Sequence, residues 1–245
     1  MTILCIETST SVCSAAICLD GKPYKQCICR EGSNHARLLP RYIEELLRFA
    51  TEQNLSIDTV ALSEGPGSYT GLRIGTSTAK GLCYGMDIPL VPVPTLQVLA
   101  CAAKEKMTND QLHVNAALLC PMIDARRMEV YSVFYDYDLQ PQSSVKAVIV
   151  ESENSLLSDN TSVCYFGDGA AKCTNVIQNP DWHFVPDIVP EAQYMGILAE
   201  QIASRQASIT SEQSLIANDH SLAYYEPFYL KDFIAAQSHV KGLKS

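Results

Sequence analysis

The most chemically specific stretch of this chain is Gly65 to Gly75, G-P-G-S-Y-T-G-L-R-I-G, where four glycines stand among hydroxyl residues. It lies between a strand-like run, Asp58 to Ser63, and a helix-like run, Leu72 to Tyr84. Glycines let a backbone approach a ligand closely, and a helix starting at such a loop points free N–H groups at whatever lies there. Gly65 and Gly67 are therefore candidate contacts to a phosphate or another anion. The loop matches neither common phosphate fingerprint: Thr70 stands where G-x-G-x-x-G requires glycine, and no Gly-Lys-Ser/Thr follows. A tight strand-to-helix turn is the other reading.

Glu7-Thr8-Ser9 ends the first strand-like run, where a sheet presents carboxylate and hydroxyl groups to a cleft. Glu7 and Thr8 could hold a phosphate or a metal-bound water there, or Thr8 and Ser9 could simply cap a turn. Asn34 and His35 precede the first long helix, one as a cap and the other as a group projecting into the cleft. A metal on His35 needs a second ligand one turn on, and that position is Leu39. His113, His183, His220 and His239 are scattered without zinc or iron spacing. With G-x-S-x-G and H-E-x-x-H both missing, the simplest hydrolase readings fall away. Asp124 to Tyr131, D-A-R-R-M-E-V-Y, brings two arginines and two carboxylates to one turn and reads as surface salt bridging. Tyr225 to Leu230 places aromatics around Pro227 and reads as a segment tying the tail to the body.

These groups need elements to position them. Ile3 to Ile6, Val12 to Leu19 and Tyr24 to Arg30 read as three strands in a meander, followed by a helix with apolar Leu38, Leu39, Tyr42, Ile43, Leu46, Leu47 and Ala50 at helical spacing. Pro40 suits only that helix's first turn. Then come the strand before Ser63, the glycine loop and its helix, a strand at Leu90 to Val93 and a helix from Thr95 to Lys106. The same order recurs: strands near Val114 to Ile123, Met128 to Tyr135 and Val145 to Val150, a helical stretch, a strand at Val163 to Phe166, the glycine turn Gly167-Asp168-Gly169, a helix from Ala170 and another from Glu191 to Arg205. This predicts a duplicated α/β protein of two β-β-β-α-β-α units. Residues 1–104 form the first domain, 105–217 the second, and 218–245 a tail on the body. Thr210 to His220 reads as a polar, mobile segment.

The helix Leu72 to Tyr84 carries charge only at Arg73 and Lys80 and is otherwise rich in small residues. Such a helix is seldom left facing water, so it is either sandwiched in its own domain or packed on another protein. Eighteen basic against twenty-seven acidic side chains give a net charge of −9, which repels polyphosphate and disfavours nucleic acid as the primary ligand. The ten cysteines contain no C-x-x-C pair and sit in apolar runs, as small core residues kept reduced. The start Met1-Thr2-Ile3-Leu4 has no secretory character, and no apolar run is long enough for a membrane. The consistent compartment is the cytoplasm.

Taken together, Glu7-Thr8-Ser9, Asn34-His35 before Leu38-Leu39-Pro40, the Gly65 to Gly75 loop, Asp124 to Tyr131, Gly167 to Ala170 and Pro227 to Leu230 resemble the TsaB family, from Met1 to about Lys231. The resemblance implies an actin-like (ribonuclease H-like) fold of duplicated domains, with mixed sheets flanked by helices. It further implies a non-catalytic scaffold subunit in bacterial threonylcarbamoyladenosine biosynthesis, not an enzyme in itself. The partner it implies is a TsaD-type catalytic subunit, whose metal histidines are spaced H-x-x-x-H where this chain has His35 and Leu39. A TsaE-type ATPase completes that assembly; the acidic charge of the chain leaves tRNA contact to the partner, and its apolar helical face predicts a two-fold homodimer when it is alone. The implied interface comprises Leu39, Tyr42, Tyr69, Leu72, Arg73, Thr76 and Lys80. No cofactor or metal is expected on the isolated chain, with ATP or ADP and Mg bound only in the assembled complex. The competing reading is a stand-alone ATP-dependent phosphotransferase using Glu7, Thr8, Gly167 and Gly169. Peptidase activity is discounted, since no activated nucleophile can be assembled.

Overall fold

The computed structural model describes residues 1–32, 34–109, 116–157, 161–208 and 220–231. The expected mobile segment Thr210 to His220 (apart from His220 itself), the tail beyond Lys231, His113 and His239 lie outside them.

Two five-stranded sheets form the frame. The first has the order β3-β2-β1-β4-β5, from β1 (Thr2–Glu7), β2 (Cys13–Leu19), β3 (Lys22–Cys29), β4 (Thr59–Gly65) and β5 (Leu90–Pro94). The second, β8-β7-β6-β9-β10, uses β6 (Leu118–Asp124), β7 (Glu129–Ser132), β8 (Lys146–Ile149), β9 (Val163–Phe166) and β10 (Trp182–Val185). Each is a three-strand antiparallel meander whose first strand continues into two parallel strands. The identical order confirms the duplication read from the sequence. Strand β10, carrying Trp182 and His183, was not anticipated there.

Strand β1 shows why the first sheet is covered on both sides. All six of its residues are buried, as an unbroken apolar run requires when helices flank a sheet. Leu4 and Ile6 join a core with the helices α1 (His35–Glu52) and α2 (Tyr69–Met86). Ile3 and Cys5 join a second core with α3 (Thr95–Asn109) and α4 (Met195–Ser208). That second core also takes Leu119, Ile123 and Phe166 from the other sheet, so α3 and α4 join the halves.

The halves differ in their outer layers. Where the first has α1 and α2, the second has, among the described residues, 3-10 turns at Glu153–Ser155 and Ala171–Cys173. The helix expected from Ala170 is thus a single turn, and the helix expected from Glu191 starts at Met195 after a 3-10 turn at Ala192–Tyr194. A third core, with Phe134, Tyr165 and Trp182, fills that side of the second sheet. The first helix begins at His35, which leaves Pro40 in its second turn instead of the first. The short helix α5 (His220–Tyr224) precedes the tail segment. Nine of the ten cysteines are buried and Cys29 is half-buried. Burial pushes the Cys120 and Cys164 thiols up to about 12, which makes them poor nucleophiles. No described helix is long and apolar enough to cross a membrane.

The glycines of α2 differ sharply in what they permit. A Cβ on Gly71 would lie 2.0 Å from the Thr8 carbonyl oxygen, whereas one on Gly81 would meet nothing within 4 Å. Gly71→Ala is expected to cost about 2 kcal/mol or more, and Gly81→Ala to add up to about 1 kcal/mol of stability. Urea denaturation of both variants checks the pair.

Candidate functional site at the strand ends and the outer helix

The ends of β1, β4, β6 and β9 carry the groups singled out by the sequence. Glu7 is buried; its Oε1 accepts hydrogen bonds from the Ser9 backbone N–H at 2.6 Å and the Ser9 hydroxyl at 2.5 Å. Its Oε2 has no hydrogen-bond partner. Burial raises its pKa above the ordinary carboxylate value, with the Ser9 hydrogen bonds acting in opposition. The Thr8 hydroxyl donates to the Gly71 carbonyl at 2.8 Å, and a Cβ on Gly75 would lie 2.4 Å from that same hydroxyl. The Thr8 side chain thus seats α2 on the end of β1.

The glycine loop is filled from within in the same way. Gly65 has φ +116°, and a Cβ on it would strike the Phe228 carbonyl oxygen at 2.5 Å. A Cβ on Gly67 would strike the Ser9 carbonyl oxygen at 2.3 Å. The Ser68 N–H donates to that Ser9 carbonyl at 2.6 Å, and the Ser68 hydroxyl accepts from the Gly71 N–H as the cap of α2. The Gly65, Ser68 and Gly71 N–H groups have partners inside the chain, which favours the tight-turn reading. The second half repeats the device, since Gly167 has φ +106° and its Cβ would lie 2.3 Å from the Met122 carbonyl oxygen. A Cβ on Gly169 would lie 2.8 to 3.0 Å from the backbone of Ile123 and Asp124. Thr8, Gly65, Gly67, Gly167 and Gly169 thus make packing contacts within the chain, while Glu7 Oε2 is left without a hydrogen-bond partner.

His35 is corrected as well. Its Nε2 lies 2.9 Å from the Thr10 carbonyl and 3.2 Å from the Val12 carbonyl, so the ring is buried against the loop after β1 and does not project into a cleft. Asn34 is the cap residue, without a side-chain hydrogen bond. Thr95 carried no signal beyond its place at a helix start. Its hydroxyl nevertheless lies 2.6 Å from the Ser63 hydroxyl and accepts from the Gly65 N–H at 3.0 Å, tying the loop to α3.

The expected interface residues separate by exposure. Leu39 and Leu72 are closed off, at 0% and 1% exposure, and Thr76 is buried at 6%. They pack α1 and α2 onto the first sheet, because an amphipathic helix spends its apolar stripe on its own core. Lys80 is half-buried, and its ammonium donates to the Ala223 and Tyr225 carbonyls at 2.6 and 3.2 Å. Tyr42 is half-buried beside the α1 core. Tyr69 is half-buried, stacked 5.0 Å from Tyr229 with the Arg73 guanidinium 4.7 Å from its ring. Arg73 is exposed, and the outer face of α2 continues through Ser77 and Gly81 to Tyr84, which is 78% exposed. Tyr84 was missed, although its helical spacing from Arg73 and Ser77 was available. The tail runs alongside: the Phe228 N–H donates to the Glu64 carbonyl at 2.7 Å, and a cavity of about 610 Å³ lies between α2 and Tyr225 to Lys231.

Three carboxyls here, Glu7, Glu64 and Asp168, have pKa values raised mainly by burial. A raised carboxyl contributes stability that is present below its unfolded value and lost as pH rises through its folded one. Glu7→Gln should match the wild type below about pH 4, under the ordinary glutamate value, exceed it in unfolding free energy at pH 8, and weaken the pH dependence. Denaturant titrations at the two pH values measure this.

Comparison with known proteins gives a consistent result. TsaB, a tRNA threonylcarbamoyladenosine biosynthesis protein, from Escherichia coli is 28% identical over 249 residues, covering 96% of each chain. The Haemophilus influenzae and Bacillus subtilis proteins of that name are 36% and 31% identical over 131 and 160 residues. The chain spans about half (52%) of the length of the former and 64% of the latter. Two solved structures share the fold: a Pseudomonas aeruginosa protein with similarity to peptidase YeaZ (TM-score 0.73, 22% identity) and YeaZ from the same species (TM-score 0.70, 24% identity). Each covers 94% of this chain and is itself covered over 99% of its length. The family described as TsaD, tRNA N6-adenosine threonylcarbamoyltransferase, matches residues 31–237. The chain therefore belongs to the TsaD family, and within it to the TsaB proteins.

Proposed function

We propose that this chain is a non-catalytic subunit in tRNA threonylcarbamoyladenosine biosynthesis, binding and ordering a TsaD-type catalytic subunit for transfer to the tRNA adenosine beside the anticodon. The observation that carries this reading, given the family, is the outer face of α2. Arg73, Ser77, Gly81 and Tyr84 form an exposed stripe of small residues with an aromatic and one cation, on a helix seated on its own sheet by three close glycine contacts. Small residues let a partner helix approach closely, while an exposed tyrosine and an arginine are the types that concentrate binding energy.

In this reading α1 and α2 present the contact, with Tyr42, Tyr69 and Arg73 from the expected set and Tyr84 added. Leu39, Leu72 and Thr76 support it from beneath, and Lys80 holds the tail alongside. The same stripe would pair two copies of the chain when the catalytic subunit is missing, by a two-fold contact of α2 on α2. A TsaE-type ATPase would join the pair, and ATP or ADP with Mg would be held only in that assembly. The stand-alone phosphotransferase is the weaker reading, because Thr8, Gly167 and Gly169 of its proposed residues make internal packing contacts.

Sedimentation velocity of the chain mixed with the TsaD-type protein of the same organism tests this, with a one-to-one species expected. Arg73→Glu should weaken that species by about tenfold or more and leave the circular dichroism unchanged. Two unaltered peaks from the wild-type mixture would overturn the proposal.

A further inference from the structure

The turn between β6 and β7 carries an arrangement that the outer helices do not use. Arg126 and Arg127 have φ values of +73° and +51°. Two consecutive residues with side chains sit in the left-handed region, where glycine or asparagine would meet less steric opposition. Both arginines are exposed, and among the described residues neither guanidinium has an ion pair or hydrogen bond. The salt bridging expected within Asp124 to Tyr131 is thus made by other cations. Lys172 pairs with Asp124, and Lys231 pairs with Glu129. Asp124 Oδ1 also accepts the Arg126 backbone N–H at 3.1 Å, and Asp168 Oδ1 accepts the Asp124 N–H at 3.0 Å. With every nearby carboxylate engaged, the two guanidiniums remain free at the tip, in a chain of net charge −9.

We infer that Arg126 and Arg127 form a direct contact to the phosphate backbone of the RNA substrate; this rests on the proposed role in tRNA modification. Guanidinium presents a planar fork of donors that matches phosphate oxygens, and a backbone phosphate is the anion that offers them without sequence restriction. The net charge of −9 opposes a polyanion over the surface as a whole, and the two unpaired arginines, with Lys172 and Lys231 beside them, offset it locally at this turn. The turn belongs to the second sheet, and Lys231, which pairs with its Glu129, also lines the cavity beside Arg73 of α2. Direct contact at one turn narrows the expectation that tRNA is met only through the partner.

The test titrates an unmodified tRNA transcript, at several salt concentrations, into the complex with the TsaD-type subunit and into the chain alone. For the double variant Arg126→Gln and Arg127→Gln, affinity of the complex should fall about tenfold near 0.1 M salt. The slope of log K against log salt should become shallower by about 1.4–1.8, two phosphate contacts' worth. Lysine at both positions should retain the slope. Glycine at 126 with asparagine at 127 should raise the melting temperature by about 2–5 °C while binding RNA as weakly as the glutamine variant. An unchanged slope in the glutamine variant overturns the inference. So does its failure to co-sediment with the partner, which would make the tip a contact to an acidic protein surface. Should the wild-type chain itself not assemble, the partner reading fails, and the titration of the chain alone decides the tip.

Discussion

The contact on which the rest depends is the meeting of two backbones at the end of β1. The Thr8 and Ser9 carbonyls face Gly71 and Gly67 so closely that any Cβ there would overlap them, and the Thr8 hydroxyl and Ser68 N–H close hydrogen bonds across the same seam. This seam fixes where α2 begins and at what height it crosses the sheet. It also decides which side of α2 is spent on the core and which is left outside. A helix held by its backbone needs little apolar surface to stay in place. Its outward side can then be small, uncharged and available.

Duplication supplies two similar sheets, but only one is dressed with long helices. In the first half α1 and α2 form an outer layer; in the second, 3-10 turns and a cluster around Trp182 close the corresponding face. The paired glycines Gly65 and Gly167 show that the turn after the fourth strand of each unit kept its geometry in both halves. What changed is the layer beyond it. An interaction surface thereby exists on one half, while α3, α4 and the core they share hold the two halves together.

Charge is distributed with the same economy. The buried carboxyl of Glu7 is pushed toward neutrality by its surroundings, a state in which burial is tolerable, and those of half-buried Glu64 and of Asp168 are shifted the same way. Around the β6–β7 turn, lysines from distant segments neutralise the local carboxylates and leave the arginines unpaired. Acidic composition and a locally cationic tip are compatible because pairing is decided by proximity in the fold.

The sequence by itself determined the element order of the first half, the duplication and the family, because these rest on periodicity and on short motifs that any fold of this type must carry. Strand Val163–Phe166 and the start of α3 at Thr95 were legible to the residue. It could not determine whether the glycines cradle a ligand or another strand of backbone, since glycine satisfies both and only the position of Ser9 and Phe228 distinguishes them. Nor could it sort α1 and α2 into inner and outer residues: Leu39 and Leu72 look as available as Arg73 until the sheet beneath is in place. The pairing of Lys172 and Lys231 with Asp124 and Glu129 spans 48 and 102 residues of chain. Tertiary structure alone decides such contacts, because the energy of an ion pair depends on distance in space and carries no signature in local spacing.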